Sequence, residues 1–101
     1  MKLLERPTVK LNKREERLVS AWQSLGDKTR FKIFKLLLSK KDYCVSEIAE
    51  KVGISLPAAS QHFRIFELVG LVDKVRYGQL VCYVINKNDP LVQELVKCIS
   101  G

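Results

Sequence analysis

The sequence predicts a mainly α-helical fold with one β-hairpin, in the element order α-α-α-α-β-β-α. Three observations predict it: a helix, a tight turn and a second helix in the middle of the chain, a run of β-branched and aromatic residues interrupted by Gly78 and Gln79, and an amphipathic helical pattern near each end. A chain of 101 residues makes one domain with one modest core. We therefore divide it into an N-terminal arm, residues 1–12, and one folded domain, residues 13–101.

The first two helices are predicted from apolar faces with well-placed ends. From Lys13 to Leu25, apolar side chains recur on one helical face, while the first turns are charged. Asp27 is a residue type that caps helix N-termini, and the segment KTRFKIFKLLLSK that follows it combines bulky apolar residues with exposed cations. This segment is the predicted second helix, and after it Tyr43 and Val45 can add a short strand.

The segment VSEIAEKVGISLPAASQHFRIFELV has the pattern of a helix-turn-helix. Apolar residues line one side of its first helix, and Gly53 ends that helix. Ser55 is placed to cap the next helix, and Pro57 lies in its first turn, where a missing N–H donor costs nothing. The second helix is predicted to begin near Leu56, and its inward stripe consists of Ala59, Phe63, Phe66 and Val69. Its opposite side is the candidate reading surface for DNA.

The segments LVDKVRY and LVCYVI predict a hairpin, because both are rich in strand-forming residues and they flank Gly78 and Gln79. A hairpin in this place is a wing, so the predicted fold is a winged helix-turn-helix. Asn88 or Asp89, together with Pro90, opens a last helix. The predicted apolar stripe of that helix consists of Leu91, Leu95, Cys98 and Ile99.

The charge balance favours a polyanionic partner. The 18 lysines and arginines exceed the 11 aspartates and glutamates, and the formal net charge of +7 suits nucleic acid or an anionic membrane surface. The apolar runs are far shorter than the roughly 20 residues that span a bilayer, and the first ten residues lack the apolar segment of a signal peptide. We therefore expect a cytoplasmic protein that binds double-stranded DNA and no membrane.

Residue types that contact DNA occur on the reading helix and at the wing. Gln61 can pair with an adenine edge, Arg64 can reach a guanine or a phosphate, and serines near the helix N-terminus can bind phosphate. The apolar start of the helix either contacts thymine methyl groups or weakens base reading. The candidate DNA-binding residues are Ser55, Leu56, Pro57, Ala58, Ser60, Gln61, Arg64, Lys74, Arg76, Tyr77 and Gln79. The alternative for this surface is a solvated helix face.

The amphipathic helices at the two ends of the chain predict a homodimer. A small domain already has its core, so these stripes are expected to pair with their copies in a second subunit. The candidate interface residues are Leu18, Trp22, Leu91, Leu95 and Ile99. Two reading helices would then enter successive major grooves about 34 to 36 Å apart, which requires a palindromic site.

Three segments together resemble the ArsR/SmtB family of winged-helix repressors. LGDKTRFKIFKLL is similar to the family's second helix, DYCVSEIAEKVGIS to its E-L-C-V-C-D-L-A-x-x-L-G-L-S pattern, and ASQHFRIFELVGLV to its V-S-x-H-L-x-x-L-x-x-A-G-L-V pattern. The resemblance runs over nearly all of residues 15–99, and the combination is specific although each string alone is weak. It implies a homodimer that binds a two-fold operator, blocks transcription, and releases DNA when an inducer or metal binds.

The resemblance leaves the inducer open. Cys44 occupies the first position of the family's C-V-C metal motif, but Ser46 stands at the second, and the last helix lacks the imidazoles of the family's interface zinc site. No cofactor is therefore assigned, and a metal bound through Cys44 would need another ligand. Cys98, from the same or the other subunit, can complete either a dithiolate metal site or a redox disulfide.

Cys44 and Cys98 are accordingly the candidate sensor residues. Cys44 precedes a helix whose positive end favours a reactive thiolate, so an oxidant, a reactive sulfur species or a thiophilic metal can act as inducer. The alternative is that both cysteines are small buried apolar residues. Cys82 is expected to be a buried strand residue, and an odd cysteine count without CxxC spacing predicts no disulfide framework.

No catalytic residues are predicted, and we expect no enzyme. His62 is the only histidine, and neither Ser60 nor Asp73 forms a recognisable nucleophile-base pattern with it. We expect His62 to be a hydrogen-bonded packing residue, as the family resemblance also implies. The alternative to a DNA-binding repressor is a winged helix that serves as a protein-interaction module without specific DNA binding.

Overall fold

A computed structural model describes residues 8–39 and 43–100, which form five α-helices and a three-stranded antiparallel sheet. The elements are α1 Lys13–Leu25, α2 Lys28–Ser39, β1 Tyr43–Cys44, α3 Val45–Val52, α4 Leu56–Val69, β2 Val72–Tyr77, β3 Leu80–Ile85 and α5 Pro90–Ser100. The strand order is β1-β3-β2, so the wing strands β2 and β3 are extended by β1 on the far side of β3. This architecture is the predicted winged helix-turn-helix. Residues 1–7 of the predicted arm and Lys40, the last residue of the predicted second helix, lie outside the described residues.

Capping side chains define the starts of the helices. The Asn12 side chain accepts the Glu15 N–H at 2.8 Å, and the Glu15 carboxylate accepts the Asn12 N–H at 3.0 Å, which is a reciprocal capping box at the start of α1. The Asp27 carboxylate accepts the Arg30 N–H at 3.0 Å at the start of α2. Of the two candidates before α5, the cap is Asp89, whose carboxylate accepts the N–H two residues further on at 2.9 Å.

The short strand β1 differs in extent from the prediction. Tyr43 and Cys44 pair with β3, but Val45 is the first residue of α3 and not part of the strand. The reason is a helix-start contact: the Cys44 N–H donates to the Glu47 Oε1 at 3.0 Å, so the chain turns into α3 directly after Cys44.

The core lies between α4, the neighbouring helices and the sheet. Phe34 of α2 and Phe63 and Phe66 of α4 have no exposed surface. The Phe34 and Phe66 ring centroids are 5.7 Å apart, and Phe63 stacks on Tyr83 of β3 with centroids 4.3 Å apart. Burying each of these side chains stabilises the fold by about 1.5 to 3 kcal/mol. Helix α4 is therefore held through its buried side by both α2 and the wing.

Helix α5 divides its apolar residues between the core and the surface. Val92 and Leu95, one turn apart, are 0% and 2% exposed, whereas Leu91 and Ile99 are half-buried and Cys98 is exposed. Leu95, predicted to lie in a dimer interface, belongs to the core of its own chain, because the helix packs through the side that carries Val92. The alternative that Cys98 is a small buried residue is also wrong.

An ion pair joins α1 to the ends of α4 and α5. The Arg17 Nη1 donates to the Asp89 Oδ1 at 3.0 Å, and its Nη2 pairs with the other carboxylate oxygen. The Arg17 Nε and Nη2 also donate to the Val69 carbonyl oxygen, both at 3.3 Å. The hydrogen bond from Arg17 lowers the pKa of Asp89. We call this arrangement of Arg17, Asp89 and Val69 the Arg17 clamp, and it holds the C-terminal end of α4 in place.

Candidate nucleic-acid interface

The turn between α3 and α4 sets the direction of α4. Gly53 has a φ of 77°, a left-handed conformation that favours glycine, and no atom lies within 4 Å of the position that a Cβ would take. The requirement for glycine is therefore conformational and not a matter of space. Ser55 then caps α4 by accepting the Ala58 N–H at 3.2 Å, and Pro57 lies in the first turn, as predicted.

The buried side of α4 fixes which side faces outward. Ala59, Phe63 and Phe66 are each 0% exposed, so the helix cannot rotate about its axis without exposing its core contacts. The opposite side carries Gln61 and Arg64, both exposed. The predicted inward and outward sides of this helix are therefore the observed ones.

The eleven predicted DNA-binding residues lie on two neighbouring surfaces. Seven are in or just before the first turns of α4, and four are on the wing. All are exposed except Ala58, which is half-buried. The first turn of α4 contains no acidic residue to neutralise the positive end of the helix, although Pro57 has no N–H and the Ala58 N–H donates to the Ser55 hydroxyl.

The wing hairpin presents its polar residues at the tip. Tyr77 pairs with Leu80 across the turn, and Gly78 takes a φ of 63° between them. Arg76, Tyr77 and Gln79 are exposed at this end. Lys74 lies one step back, with its Nζ 3.9 Å from the Glu67 Oε1 of α4.

The cations on this surface differ in whether the chain itself neutralises them. The Lys74 and Glu67 side chains are both 39% exposed, so their ion pair contributes under about 1 kcal/mol and is easily exchanged for a phosphate contact. Within residues 8–39 and 43–100, no carboxylate lies within 4 Å of Arg64 or Arg76. The positive charge of these arginines is available to an external anion.

A groove of about 840 Å³ is bounded by α4, the wing and the start of α3. We call it the α4–wing groove; it is lined by Cys44, Val45, Ser46, Leu56, Ser60, Arg64, Glu67, Leu68, Lys74, Gln79, Leu80, Val81 and Tyr83. Burial and, to a smaller extent, the Glu67 charge raise the pKa of the Tyr83 hydroxyl. Five of the predicted DNA-binding residues line this groove.

The groove also contains residues that the sequence analysis assigned to no function. Leu68 and Leu80 are 78% and 55% exposed, and Glu67 pairs with Lys74. Leu68 lies four residues after Arg64 and seven after Gln61, so helical spacing alone places it on the same outward side. For Leu80, the sequence feature that indicates an exposed position in the groove is its place directly after the hairpin turn.

The cysteines are arranged differently from the prediction. Cys44 and Cys82 form a disulfide, whereas Cys98 is free and exposed. The expectation of no disulfide and the pairing of Cys44 with Cys98 are both wrong within this chain. The physical reason is the sheet register, which places Cys44 of β1 directly opposite Cys82 of β3. Cys82 is buried as expected, at 1% exposure, but it is a bonded residue.

The donor set does not fit a metal site at Cys44. Its sulfur is bonded to Cys82, and Ser46 replaces the second thiolate of the motif. Across the described ranges, no group of three or more His, Cys, Asp or Glu side chains is arranged to hold a metal ion.

His62 lies between α4 and α2. It is half-buried, and its Nδ1 is 3.5 Å from the Nη1 of Arg30, whose Nε donates to the Ser24 carbonyl at 2.7 Å. Because arginine only donates hydrogen bonds, Nδ1 is the acceptor. This environment agrees with the expected packing role.

Comparisons with known proteins identify the family. The family model described as bacterial regulatory protein, arsR family, matches residues 27–74. The transcriptional repressor SdpR of Bacillus subtilis (strain 168) is 33% identical over 67 residues, which cover 66% of this chain and 73% of SdpR. The chain belongs to the arsR family of bacterial regulatory proteins.

Two further proteins are similar to this arsR-family regulator. The cadmium resistance regulatory protein CadC of Listeria innocua is 34% identical over 61 residues, 60% of this chain, and the match spans only 51% of CadC. The homodimeric winged helix-turn-helix domain Mb0332 of Mycobacterium bovis shares the fold, with a TM-score of 0.74 at 24% identity, over 92% of this chain and 87% of that one. None of the helices in the described parts of the regulator is long and apolar enough to cross a membrane.

Proposed function

We propose that this arsR-family regulator is a homodimeric repressor that binds a two-fold symmetric operator in double-stranded DNA. The observation that carries the proposal is the outward face of α4, where Gln61 and Arg64 are exposed on a helix whose opposite side buries Ala59, Phe63 and Phe66. A helix held in this way can enter the major groove. The repressor SdpR and the homodimeric Mb0332 support the proposal by similarity.

The contacts of α4 divide into base reading and positioning. The Gln61 amide can donate to and accept from an adenine edge at once, and a contact of this kind is worth about 1 to 3 kcal/mol of discrimination. Arg64 can reach a guanine or a phosphate. Ser55 and Ser60 lie at and near the start of the helix, where a phosphate also meets the positive end of the helix dipole.

The wing supplies contacts that do not depend on sequence. Arg76, Tyr77 and Gln79 project from the hairpin tip, and Lys74 can exchange Glu67 for a phosphate. The role of these residues is to fix the register of α4 on the duplex, and their loss weakens binding to every sequence alike.

The dimer interface is proposed to involve α1 and α5. Leu18, Val19 and Trp22 are 38%, 44% and 47% exposed on α1, which is a large apolar area for a surface helix. On α5, Leu91 and Ile99 are half-buried and can be covered by the second copy. A two-fold axis then relates the two α4 helices.

The exposed leucines of the α4–wing groove favour a second candidate function, a protein-interaction module. Leu56, Leu68 and Leu80 are each more than half exposed, and apolar side chains in a groove suit a protein partner as well as thymine methyl groups. Under this alternative the arginines of α4 and the wing are solvated and make no phosphate contacts.

A thiol-directed inducer is proposed to release the repressor from DNA. Cys44 lines the same groove as Ser60, Arg64 and Lys74, so chemistry at its sulfur takes place beside the proposed DNA contacts. Reactive sulfur species that carry a thiolate are the inducers of choice, since the Cys44 sulfur is already oxidised in its bond to Cys82 and the donor set does not fit a metal.

Fluorescence anisotropy with a random-sequence duplex at two salt concentrations tests DNA binding. A protein that neutralises Z phosphates loses affinity with a log-log slope near −0.9Z, whereas an interaction module shows little binding at either salt concentration. Arg64→Ala is expected to flatten the slope by about 0.9 if Arg64 contacts a phosphate. Lys35→Ala, an exposed charge on α2, is the matched control and is expected to leave the slope unchanged.

A further inference from the structure

One covalent bond joins the start of the helix-turn-helix to the wing. Cys44 is the last residue of β1 and directly precedes α3, while Cys82 lies in the central strand β3, between Cys44 and Val75 of β2. Strand β1 has only two residues, so few hydrogen bonds hold it to β3. The Cys44–Cys82 disulfide is therefore a main connection between α3 and the wing in this region.

The two bonded cysteines differ in accessibility. Cys82 is 1% exposed, whereas Cys44 is partly exposed and lines the solvent-open α4–wing groove. A thiolate attacks a disulfide at the sulfur that it can reach. An external thiol therefore attacks Cys44, and Cys82 is the leaving group.

We propose that the Cys44–Cys82 disulfide is a reversible switch, opened by a small anionic thiol that enters the α4–wing groove and attaches to Cys44. Among the charged side chains that line the groove, Arg64 and Lys74 outnumber Glu67, which favours an anionic reagent, although the Glu47 carboxylate outside this lining accepts the Cys44 N–H. In proteins of reducing compartments, where DNA-binding regulators work, disulfides are usually transient or regulatory. The effect on DNA rests on the proposed repressor function, but the chemistry at Cys44 does not.

The reaction balances as two thiol–disulfide exchanges. The thiolate of the small thiol forms a bond to the Cys44 sulfur, the Cys44–Cys82 bond breaks, and the electron pair leaves with the Cys82 sulfur, which takes up a proton. A second small thiolate then attacks the added sulfur and releases the oxidised small disulfide, leaving Cys44 and Cys82 both reduced. Reaction with the oxidised small disulfide runs the two exchanges in reverse and restores the Cys44–Cys82 bond.

The mixed disulfide obstructs the proposed DNA surface. Its substituent occupies the groove that Leu56, Ser60 and Arg64 line, and its negative charge opposes phosphate contacts. Opening the bond also removes the covalent link between the wing and the start of α3. Both effects lower the affinity for DNA.

Glutathione is the probe for the test, with Cys98→Ser as the background so that the exposed third thiol cannot exchange. The protein is oxidised with glutathione disulfide, treated with reduced glutathione, quenched with acid and mapped by peptide mass spectrometry. The expected result is complete formation of the Cys44–Cys82 bond, followed by a glutathione adduct on Cys44 and not on Cys82. Failure of the bond to form, or equal labelling of the two cysteines, would overturn the proposal.

The charge preference is measured by comparing glutathione with the cationic thiol cysteamine. The ratio of the two opening rates is expected to fall about sevenfold in Lys74→Gln, because the two thiols differ by two unit charges and each unit contributes about 0.6 kcal/mol at about 7 Å in water. Lys35→Gln is the matched control and is expected to keep the wild-type ratio. An unchanged ratio in Lys74→Gln would contradict an anionic reagent in the groove.

Duplex anisotropy on the disulfide, dithiol and adduct forms measures the consequence for DNA. The adduct is expected to bind at least about tenfold more weakly than the disulfide form, since it loses phosphate contacts. Equal affinity of the two forms would refute the switch even if the adduct maps to Cys44. If the disulfide form itself binds no DNA, the repressor proposal fails, while the mapping still decides the chemistry.

Discussion

The Arg17 clamp and the α4–wing groove use the same type of side chain for opposite purposes. Arg17 is matched within the chain by the Asp89 carboxylate and the Val69 carbonyl. Arg64 has no carboxylate within 4 Å among the described residues. The difference teaches that the partners of a cation, and not its residue type, separate a structural arginine from one that can bind an external anion.

The largest expected effect is on the clamp. Arg17→Ala removes a charge-assisted ion pair and leaves the Asp89 carboxylate and the Val69 carbonyl without their hydrogen-bond donor. We therefore expect the free energy of unfolding to fall by about 2 kcal/mol. Chemical denaturation measures the unfolding free energy. Arg14 is an exposed arginine of the same helix, and the control substitution Arg14→Ala is expected to lower the unfolding free energy by under about 0.5 kcal/mol. Equal effects of the two substitutions would mean that Arg17 is only a surface charge.

The second prediction concerns the outward face of α4. Gln61→Ala is expected to weaken specific DNA binding by about 1.5 kcal/mol, because a bidentate base contact is lost, with little effect on binding to random duplex. The unfolding free energy is expected to stay within about 0.5 kcal/mol of the wild type, since Gln61 is exposed. Duplexes selected from a random pool provide the specific site for anisotropy. If Gln61→Ala lowered the unfolding free energy and left the DNA affinity unchanged, Gln61 would be a structural residue and not a base-reading one.

The third prediction concerns the wing tip. Arg76→Ala is expected to weaken binding to specific and random duplexes equally, by about 1 kcal/mol at low salt, and to flatten the salt slope by about 0.9, because one phosphate contact disappears. Wild-type slopes for Arg76→Ala would place the wing away from the duplex.

The smallest expected effect is a pH dependence of the clamp. The hydrogen bond from Arg17 lowers the pKa of Asp89 below its ordinary value of 3.8. A group with a lowered folded-state pKa stabilises the fold above its ordinary pKa, and this stabilisation is lost as the pH falls through the folded-state pKa. We therefore expect the stability difference between wild type and Arg17→Ala to shrink as the pH is lowered below about 4. Hydrogen bonds at the start of its own helix also lower the pKa of Asp27. Because this shift is present in both proteins, its contribution cancels in the stability difference.

Much of the fold follows from local signals. The positions of Asp27, Gly53, Ser55 and Pro57 predict where α2, α3 and α4 begin or end, since capping and turn geometry depend on neighbouring residues alone. The inward stripe of α4 is equally local, because helical spacing determines which side chains share a face. These signals also identify Gln61 and Arg64 as outward residues.

Contacts between segments that are distant in the sequence could not be predicted from local sequence patterns. The Cys44–Cys82 bond depends on the pairing of β1 with β3 across 38 residues, and the Arg17 clamp spans 52 and 72 residues of sequence. On α5, Leu91, Val92 and Leu95 are all apolar, so only the packed structure decides that Val92 and Leu95 face the core. Residues that act through such contacts resemble ordinary surface or core residues in the sequence.

Amide chemical-shift mapping of the isotope-labelled protein with a random-sequence duplex at low salt tests the central claim most directly. The account predicts that the largest shifts fall on the first turns and outward face of α4 and on the wing tip, with small shifts on the Arg17 clamp. Shifts concentrated on α1 and α5, with Gln61, Arg64 and the wing unaffected, would contradict it.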